Sequence, residues 1–553
     1  MPLLSGASSA TRVTSSLART VASRVCAPRG LAWPRRLATT PETFKGASQP
    51  HTGASNPSNS STRDVSSRAT ASAGGSQAFS SSDASSDGPY AAAMDANGPP
   101  RICVVGGGFG GLYTAIKLEQ LMWPKGSKPR VTLIDQNSRF SFKPLLYDVL
   151  TDSATEDEVA PAFSSVLAPY SVRYVQGRVS GVVNGDEAEK AVLLQDGGRI
   201  PYDWLVMAMG AKTNNFGVPG VDKYALQFST YDDAVRLKDE LARFGNDENN
   251  KNKFPEVCIV GGGYAGVELA ASLVDRLGGK CRVRLVTSGD DIMDQAPYGQ
   301  REAAREVLRG DGVSVMCGTV VDKIQLAGNG GGSDTSPSNK RIIHTSDKVS
   351  KSQKEVLEAD IVIWTAGQSP ALKGEQKNYM PFKVNEHGAM ETDRTLKVVD
   401  TRNVFALGDV AIASQQTLPT TAQVALQQAD YVAWNIWASI NGRPLLNFQY
   451  QHLGNMMSLG AARGAIALPI PVPPPISAAI KSSPFGDILK AAGVSVDTTF
   501  AGASDGVTIS GPAGALLRRA AYLYRQPTDG QRLTTVSGWG KLVQDKVKRG
   551  DLK

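Results

Sequence analysis

The chain is poor in the side chains that hold metals or form covalent intermediates, with five cysteines and four histidines in 553 residues. Cys26, Cys103, Cys258, Cys281 and Cys317 form no C-x-x-C pair, which leaves a redox-active vicinal disulfide and a zinc knuckle without support. Cys103 and Cys258 lie in apolar, strand-like runs and read as small buried hydrophobes. His51, His344, His387 and His452 are scattered, with no Ser-His-Asp layout and no metal-ligand cluster around them. Long hydrophobic runs are missing too. The most apolar late stretch, "AIALPIPVPPPISAAI" from Ala465 to Ile480, is broken by five prolines, so no segment reads as a membrane-spanning helix.

Acidic residues are absent from the first 40 positions, which hold six arginines and many Ser and Ala. Residues 1–40 therefore read as an organelle transit peptide, with an ordinary basic tail as the alternative; composition does not separate chloroplast from mitochondrion. This local basicity accounts for most of the net charge of +7, which therefore does not indicate nucleic-acid binding. Residues 41–98 are dominated by Ser, Ala, Gly, Asn and Thr and read as a disordered linker. The remainder is long and apolar enough for two or three domains.

What is present is a duplication. "RICVVGGGFGGLYTAIKLEQL" from Arg101 and "EVCIVGGGYAGVELAASLVDRL" from Glu256 share one layout of short β-branched strand, glycine turn and helix. Each carries G-x-G-x-x-G, as Gly106, Gly108, Gly111 and as Gly261, Gly263, Gly266. In this context the first glycine permits the tight turn, the second lets backbone approach a pyrophosphate, and the third allows helix to pack on strand. The phosphates would sit on free helix N–H groups. Two dinucleotide sites are expected, in an α/β architecture of two Rossmann-type domains.

The acid that should end each second strand splits the copies. "PRVTLIDQ" supplies Asp135, whereas "CRVRLVTSGD" offers Thr287 and then Ser288. A carboxylate there would repel a ribose 2'-phosphate and a hydroxyl tolerates one, so NADPH is expected to be accepted at least as readily as NADH. The alternative is that Asp290 or another displaced acid takes over and NADH is preferred. Further on, "TRNVFALGDVA" ends a strand in Gly408 and Asp409, a glycine for close passage of a flavin chain and a carboxylate for a ribitol hydroxyl.

At this point the chain resembles the type II NAD(P)H:quinone oxidoreductases. The resemblance is carried by Gly106 to Gly111 with Asp135, by "FSFKPLLYDVL" from Phe140, by the second glycine turn with Glu268, and by "WTAG" at Trp364, "ALGD" and "TTAQVALQQ". "RFSFKPLLYDVL", "NIWASINGRPLL" and "YLYRQPTDGQR" look like the plastid branch, the demethylphylloquinone reductases. The resemblance implies non-covalent FAD, NADPH or NADH as co-substrate, and a non-proton-pumping two-electron reduction of a prenylated quinone. It also implies a monomer or homodimer in peripheral contact with one membrane leaflet or lipid droplet, at a plastoglobule or thylakoid surface. The expected layout is an FAD-binding domain in two parts, 99–250 and 376–450, an NAD(P)H-binding domain at 251–375 between them, and a C-terminal membrane-associating region at 451–553. Other readings are a mitochondrial rotenone-insensitive NADH:ubiquinone reductase, a sulfide:quinone reductase, which would need a cysteine pair, and a slow redox-sensing flavoprotein.

Several side chains take expected roles. The helix opening at "PTTAQ" would present N–H groups of Thr421, Ala422 and Gln423 to a reduced flavin. Gln423 and Gln427, one turn apart, would offer uncharged amides to quinone carbonyls; bridging within the fold is the alternative. By resemblance Glu268 lies near nicotinamide and flavin, although a structural first-turn acid also fits, and Lys143 lies near the flavin. On a helical wheel "ALLRRAAYLYR" puts Leu516, Leu517, Ala520, Leu523 and Tyr524 on one arc and Arg518 and Arg525 opposite, as in an interfacial helix with arginines at headgroups; packing on the core or a partner is the alternative. Residues 465–505 have no assigned role.

Overall fold

The computed structural model describes residues 98–549 apart from 186–188, 247–253, 279, 328–339, 373–379, 414–417, 471–483 and 498–505. The expected transit peptide, and all of the expected linker except Gly98, lie outside the described residues.

The first glycine turn joins β1 (Arg101–Val105) to α1 (Phe109–Gln120), followed by β2 (Arg130–Asp135), the short α2 (Leu146–Leu150), β3 (Val172–Gln176) and β4 (Trp204–Met207). The chain leaves through β5 (Ala211–Thr213) and builds β6 (Leu226–Gln227), β7 (Glu256–Val260), α3 (Tyr264–Leu277), β8 (Arg282–Val286), α4 (Tyr298–Gly310), β9 (Ser314–Met316) and β10 (Ile361–Trp364). It returns through β11 (Gln368–Pro370) to β12 (Val404–Ala406) and α5 (Ala422–Ile440).

Two five-stranded parallel sheets result, ordered β12-β4-β1-β2-β3 and β6-β10-β7-β8-β9. In each, the strand before the glycine turn is central, because a parallel sheet covered by helices buries its middle strands on both faces. All four residues of "WLVM" in β4 and of "IVIW" in β10 are accordingly buried. β5 and β11 pair antiparallel with each other, so the exit from the first sheet and the return to it form one ribbon. The second body starts earlier than the expected residue 251, since β6 already belongs to its sheet. A two-residue strand carries no periodicity by which sequence could place it.

Four antiparallel strands follow, β13 (Asn455–Ser458), β14 (Gly464–Leu468), β15 (Val494–Asp497) and β16 (Gly506–Ser510), in the order β13-β14-β16-β15. Residues 465–505 thus supply an inner strand, buried at all five positions of β14, and an edge strand. Helices α6 (Gly511–Tyr524) and α7 (Asp529–Arg549) close the chain. Among the described residues, no helix is long and apolar enough to cross a membrane.

Candidate redox site

The two glycine turns are built alike. Gly106 and Gly261 have φ of +101° and +120°, a conformation that side chains rarely adopt. A Cβ on Gly111 or Gly266 would lie 1.8 Å from the carbonyl oxygen of Gly106 or Gly261, so the third glycine is what lets each helix seat on its strand. Gly108 and Gly263 differ in kind. A Cβ on either would meet nothing within 4 Å, so internal packing does not require glycine there and the face is open to a ligand.

Strand register makes Asp135 and Thr287 equivalent, because each follows the residue whose carbonyl accepts from the first glycine's N–H. Asp135 accepts from the N–H of Gly107 at 2.6 Å and from Asn137 at 2.8 Å. Burial raises its pKa and these two bonds pull it back. Thr287 is buried, and its side chain lies 2.6 Å from where a Cβ on Gly262 would stand. Its hydroxyl accepts from Gly289 N–H at 3.1 Å. Asp290, the possible displaced acid, is 89% exposed and paired with Lys348 at 3.3 Å.

Asp409 follows β12 in a short turn whose Gly408 has φ of +71°. Burial raises its pKa and the positive charge of Lys143 lowers it, which brings two sequence-selected residues from distant segments into one field. Gln428, which sequence reasoning passed over, accepts from Gly408 N–H at 2.7 Å and fixes this turn to α5. Its signal was the third glutamine of an otherwise apolar helix start.

Thr421 caps α5, its hydroxyl accepting from Val424 N–H at 3.3 Å. Its own N–H is donated to Pro419 at 2.9 Å, which corrects the expectation that it stays available. Ala422 and Gln423 follow in the first turn, where N–H groups have no partner within the helix. The glutamine amides are engaged with the segment before β13. Gln423 accepts from Tyr450 hydroxyl at 2.6 Å and Leu453 N–H at 3.0 Å and donates to Gly454 at 3.1 Å. Gln427 accepts from Gln451 N–H at 2.9 Å and donates to its carbonyl at 2.8 Å. They bridge within the fold, and each keeps one N–H beyond these bonds.

Glu268 sits in the first half of α3 and is 7% exposed. It accepts from Ser458 N–H at 2.7 Å and hydrogen-bonds the Tyr147 hydroxyl. Burial is the main influence and pushes its pKa up to about 7, against the Ser458 bond, the Arg518 charge and the Tyr147 bond. Segments of both nucleotide bodies and of the C-terminal sheet meet at this carboxyl. Gln300 adds a second tie, accepting from Tyr264 hydroxyl at 2.8 Å and donating to Asn455 and Ala465 carbonyls at 3.0 and 3.1 Å.

The four described cysteines are free thiols. Cys103 and Cys258 occupy the central strands of separate sheets, and burial raises both thiol pKa values, to about 12 for Cys258. Burial also raises Cys281, to about 11, and Cys317. These thiols are held protonated, which disfavours nucleophilic disulfide chemistry.

The sequence pattern described as pyridine nucleotide-disulphide oxidoreductase matches residues 100–429. The chain is 37% identical to an alternative NAD(P)H-ubiquinone oxidoreductase, chloroplastic/mitochondrial, of Arabidopsis thaliana, over 80% of this chain and 81% of that one. It is 36% identical to a demethylphylloquinone reductase of Synechocystis sp., over 80% of this chain and 95% of the other. The chain belongs to the type II NAD(P)H:quinone oxidoreductases. The family's fold is also visible in a solved structure, NDH2 from Plasmodium falciparum in complex with NADH, with a TM-score of 0.61 at 17% identity, covering 80% of this chain and 98% of that one.

The expected arginine face of α6 is corrected within this family's frame. Arg518 is 0% exposed and paired with buried Asp148, so it points inward and not to headgroups. Leu516 is 71% exposed and Ala520 is exposed as well, on the opposite side. A helical wheel assigns arginine to water, and nothing local reveals a partner 370 positions away.

Proposed function

We propose that the chain is an FAD-dependent oxidoreductase that uses NAD(P)H to reduce a prenylated quinone. The observation that carries this is family membership together with two glycine turns, each with an open middle glycine, in bodies whose helices α2 and α3 meet at Glu268. FAD, when bound, supplies a two-electron carrier between the nicotinamide and the quinone.

The first turn, Gly106, Gly108 and Gly111, with Asp135, Gly408, Asp409 and Lys143, would hold FAD without a covalent bond. Gly108 fits a pyrophosphate because its Cβ position is open, and Asp135 and Asp409 offer carboxylates to hydroxyls. The N–H groups of Ala422 and Gln423, at the positive end of α5, would face negative charge at the carrier, with Thr421 as their cap. The second turn, Gly261, Gly263 and Gly266, would hold NAD(P)H, and neutral Thr287 supports use of NADPH. Glu268, which changes charge near neutral pH, can hold or release a proton where the bodies meet. Gln423 and Gln427 shape the mouth by fixing residues 450–454, and their spare N–H groups can meet a quinone carbonyl.

The exposed Leu516 on α6 and Leu533 and Val536 on α7 support contact with one membrane leaflet or lipid droplet. A plastid or mitochondrial location agrees with the names of the relatives, with a plastoglobule or thylakoid surface as the finer reading. Demethylphylloquinone and plastoquinone are the substrate types proposed, and a homodimer is compatible. The test is oxidation of NADPH and NADH by the flavin-loaded chain from about Ala91, with a prenylated naphthoquinone and with plastoquinone. Flavin reduced by NADPH and reoxidised by either quinone is expected; bound flavin that no quinone reoxidises overturns the reading.

A further inference from the structure

Arg518 is fully buried, yet it lies on the C-terminal helix α6 rather than in either nucleotide body. Its Nη2 donates to both carboxylate oxygens of Asp148 at 3.0 Å, and its Nη1 reaches the Pro144 carbonyl at 3.4 Å. Arg519 adds a second donor to Asp148 at 2.9 Å and also bonds the Ser153 carbonyl at 2.9 Å. Tyr522, one turn further along α6, lies beneath the Arg518 guanidinium at 5.4 Å. The residue before Asp148 is Tyr147, whose hydroxyl hydrogen-bonds Glu268.

A buried ion pair is weak evidence of stabilisation, since desolvating two charges offsets their attraction. Its location is the informative part. The groups facing Glu268 are Tyr147 and Asp148 from α2, Arg518 and Tyr522 from α6, Tyr264 from its own helix, and the Ser458 N–H from β13. Arg518 and Asp148 act on the carboxyl with opposite sign, the cation favouring its ionised form and the anion its protonated form. Losing Asp148 leaves Arg518 buried without its carboxylate, whereas losing Arg518 leaves Asp148 with Arg519 as its remaining cation.

We infer that Arg518 is a positioning residue of the redox site: held by Asp148, it orients Tyr147 toward Glu268 and governs the protonation of that carboxyl from the C-terminal helix. This rests on the reading that Glu268 works where nicotinamide and flavin meet. It adds that α6, otherwise read only as a surface contact, reaches into the chemistry through one inward arginine.

The test is the pH profile of kcat and kcat/KM for NADPH with a prenylated quinone, measured on the flavin-loaded wild type, Arg518→Gln, Asp148→Asn, the double variant and Arg518→Lys. The limb due to Glu268 is expected to move up by roughly one pH unit in Arg518→Gln and down by a similar amount in Asp148→Asn. It returns near the wild-type position in the double variant and in Arg518→Lys. A purely structural pair would lower flavin content and kcat in both single variants with the limb unmoved, and that result overturns the inference. Should Arg518→Gln fail to retain flavin, Tyr147→Phe carries the same test: losing its hydrogen bond moves the limb up, and an unmoved limb overturns the proposal. Glu268→Gln separates the two ideas, because a wild-type profile in that variant removes the role of Glu268 itself, whatever Arg518 does.

Discussion

The two glycine turns share a backbone and differ at one side chain. In the first, a carboxylate reaches over to bind the loop's own N–H at 2.6 Å; in the second, a threonine packs under the loop and its hydroxyl is occupied by Gly289. Positive φ at the first glycine and the 1.8 Å approach at the third are common to both. The two copies thus share a strand–turn–helix scaffold, and on the proposed reading the strand-end residue would set which dinucleotide each takes. Exchanging that residue would leave the strands paired, because the pairing is made by backbone groups.

The largest effect should come from breaking both copies at the shared close approach. Gly111→Ala and Gly266→Ala each push a methyl into a carbonyl oxygen, an overpacking that costs about 1–3 kcal/mol or more. The first should purify with little flavin; the second should keep its flavin spectrum and lose roughly tenfold to a hundredfold in kcat/KM for NADPH. Equal flavin loss in both would end the division of labour between the turns.

Thr287→Asp sharpens the comparison by making the second copy resemble the first. Repulsion of a 2'-phosphate should lower kcat/KM for NADPH roughly tenfold or more while leaving NADH within about threefold. Similar changes for both nucleotides would show that Asp290 or another group reads the ribose.

A smaller difference concerns what else each body is tied to. Glu158, from the first body, is buried, accepts from Trp539 of α7 at 2.8 Å, and has a pKa that burial raises to about 7. A raised carboxyl pKa gives stability that is complete below the ordinary value of 4.5 and is lost as pH climbs through 7. Glu158→Gln keeps an acceptor for Trp539 and removes that loss, so thermal melting should rise by a few degrees at pH 8 and change little at pH 4. A gain of the same size at both pH values would refute the ionisation argument.

The smallest effect is expected for Gln427→Leu, which removes two bonds to Gln451 and should cost about 1–2 kcal/mol in stability. The quinone KM should rise a few-fold, with flavin reduction by NADPH unchanged, as stopped-flow measurement would show. Unchanged quinone kinetics would confine the residue to bridging.

Much of the nucleotide-binding frame could be read directly, because glycine turns, apolar strands and the acid or its lack are local signals. The pairing of 211–213 with 368–370 lies 150 and more positions apart in the chain and was visible only in space. What escaped was non-local. Glutamines 423 and 427 found partners 24 to 31 positions on, β6 was too short to show a pattern, and Arg518 is explained only by Asp148. The apolar run at β14 ended in prolines and had no assigned role, whereas it is an inner strand completed by a partner some forty residues later. Polar side chains that bond across long separations leave no periodicity behind them.

The ribbon of β5 and β11 has an engineering meaning. Because the chain enters and leaves the second body on adjacent antiparallel strands, about 5 Å apart, that body has the topology of a removable cassette. Its two ends meet at one doorway, so the whole second body, which on the proposed reading takes NAD(P)H, could be exchanged for one with another preference without re-threading a strand of the first sheet.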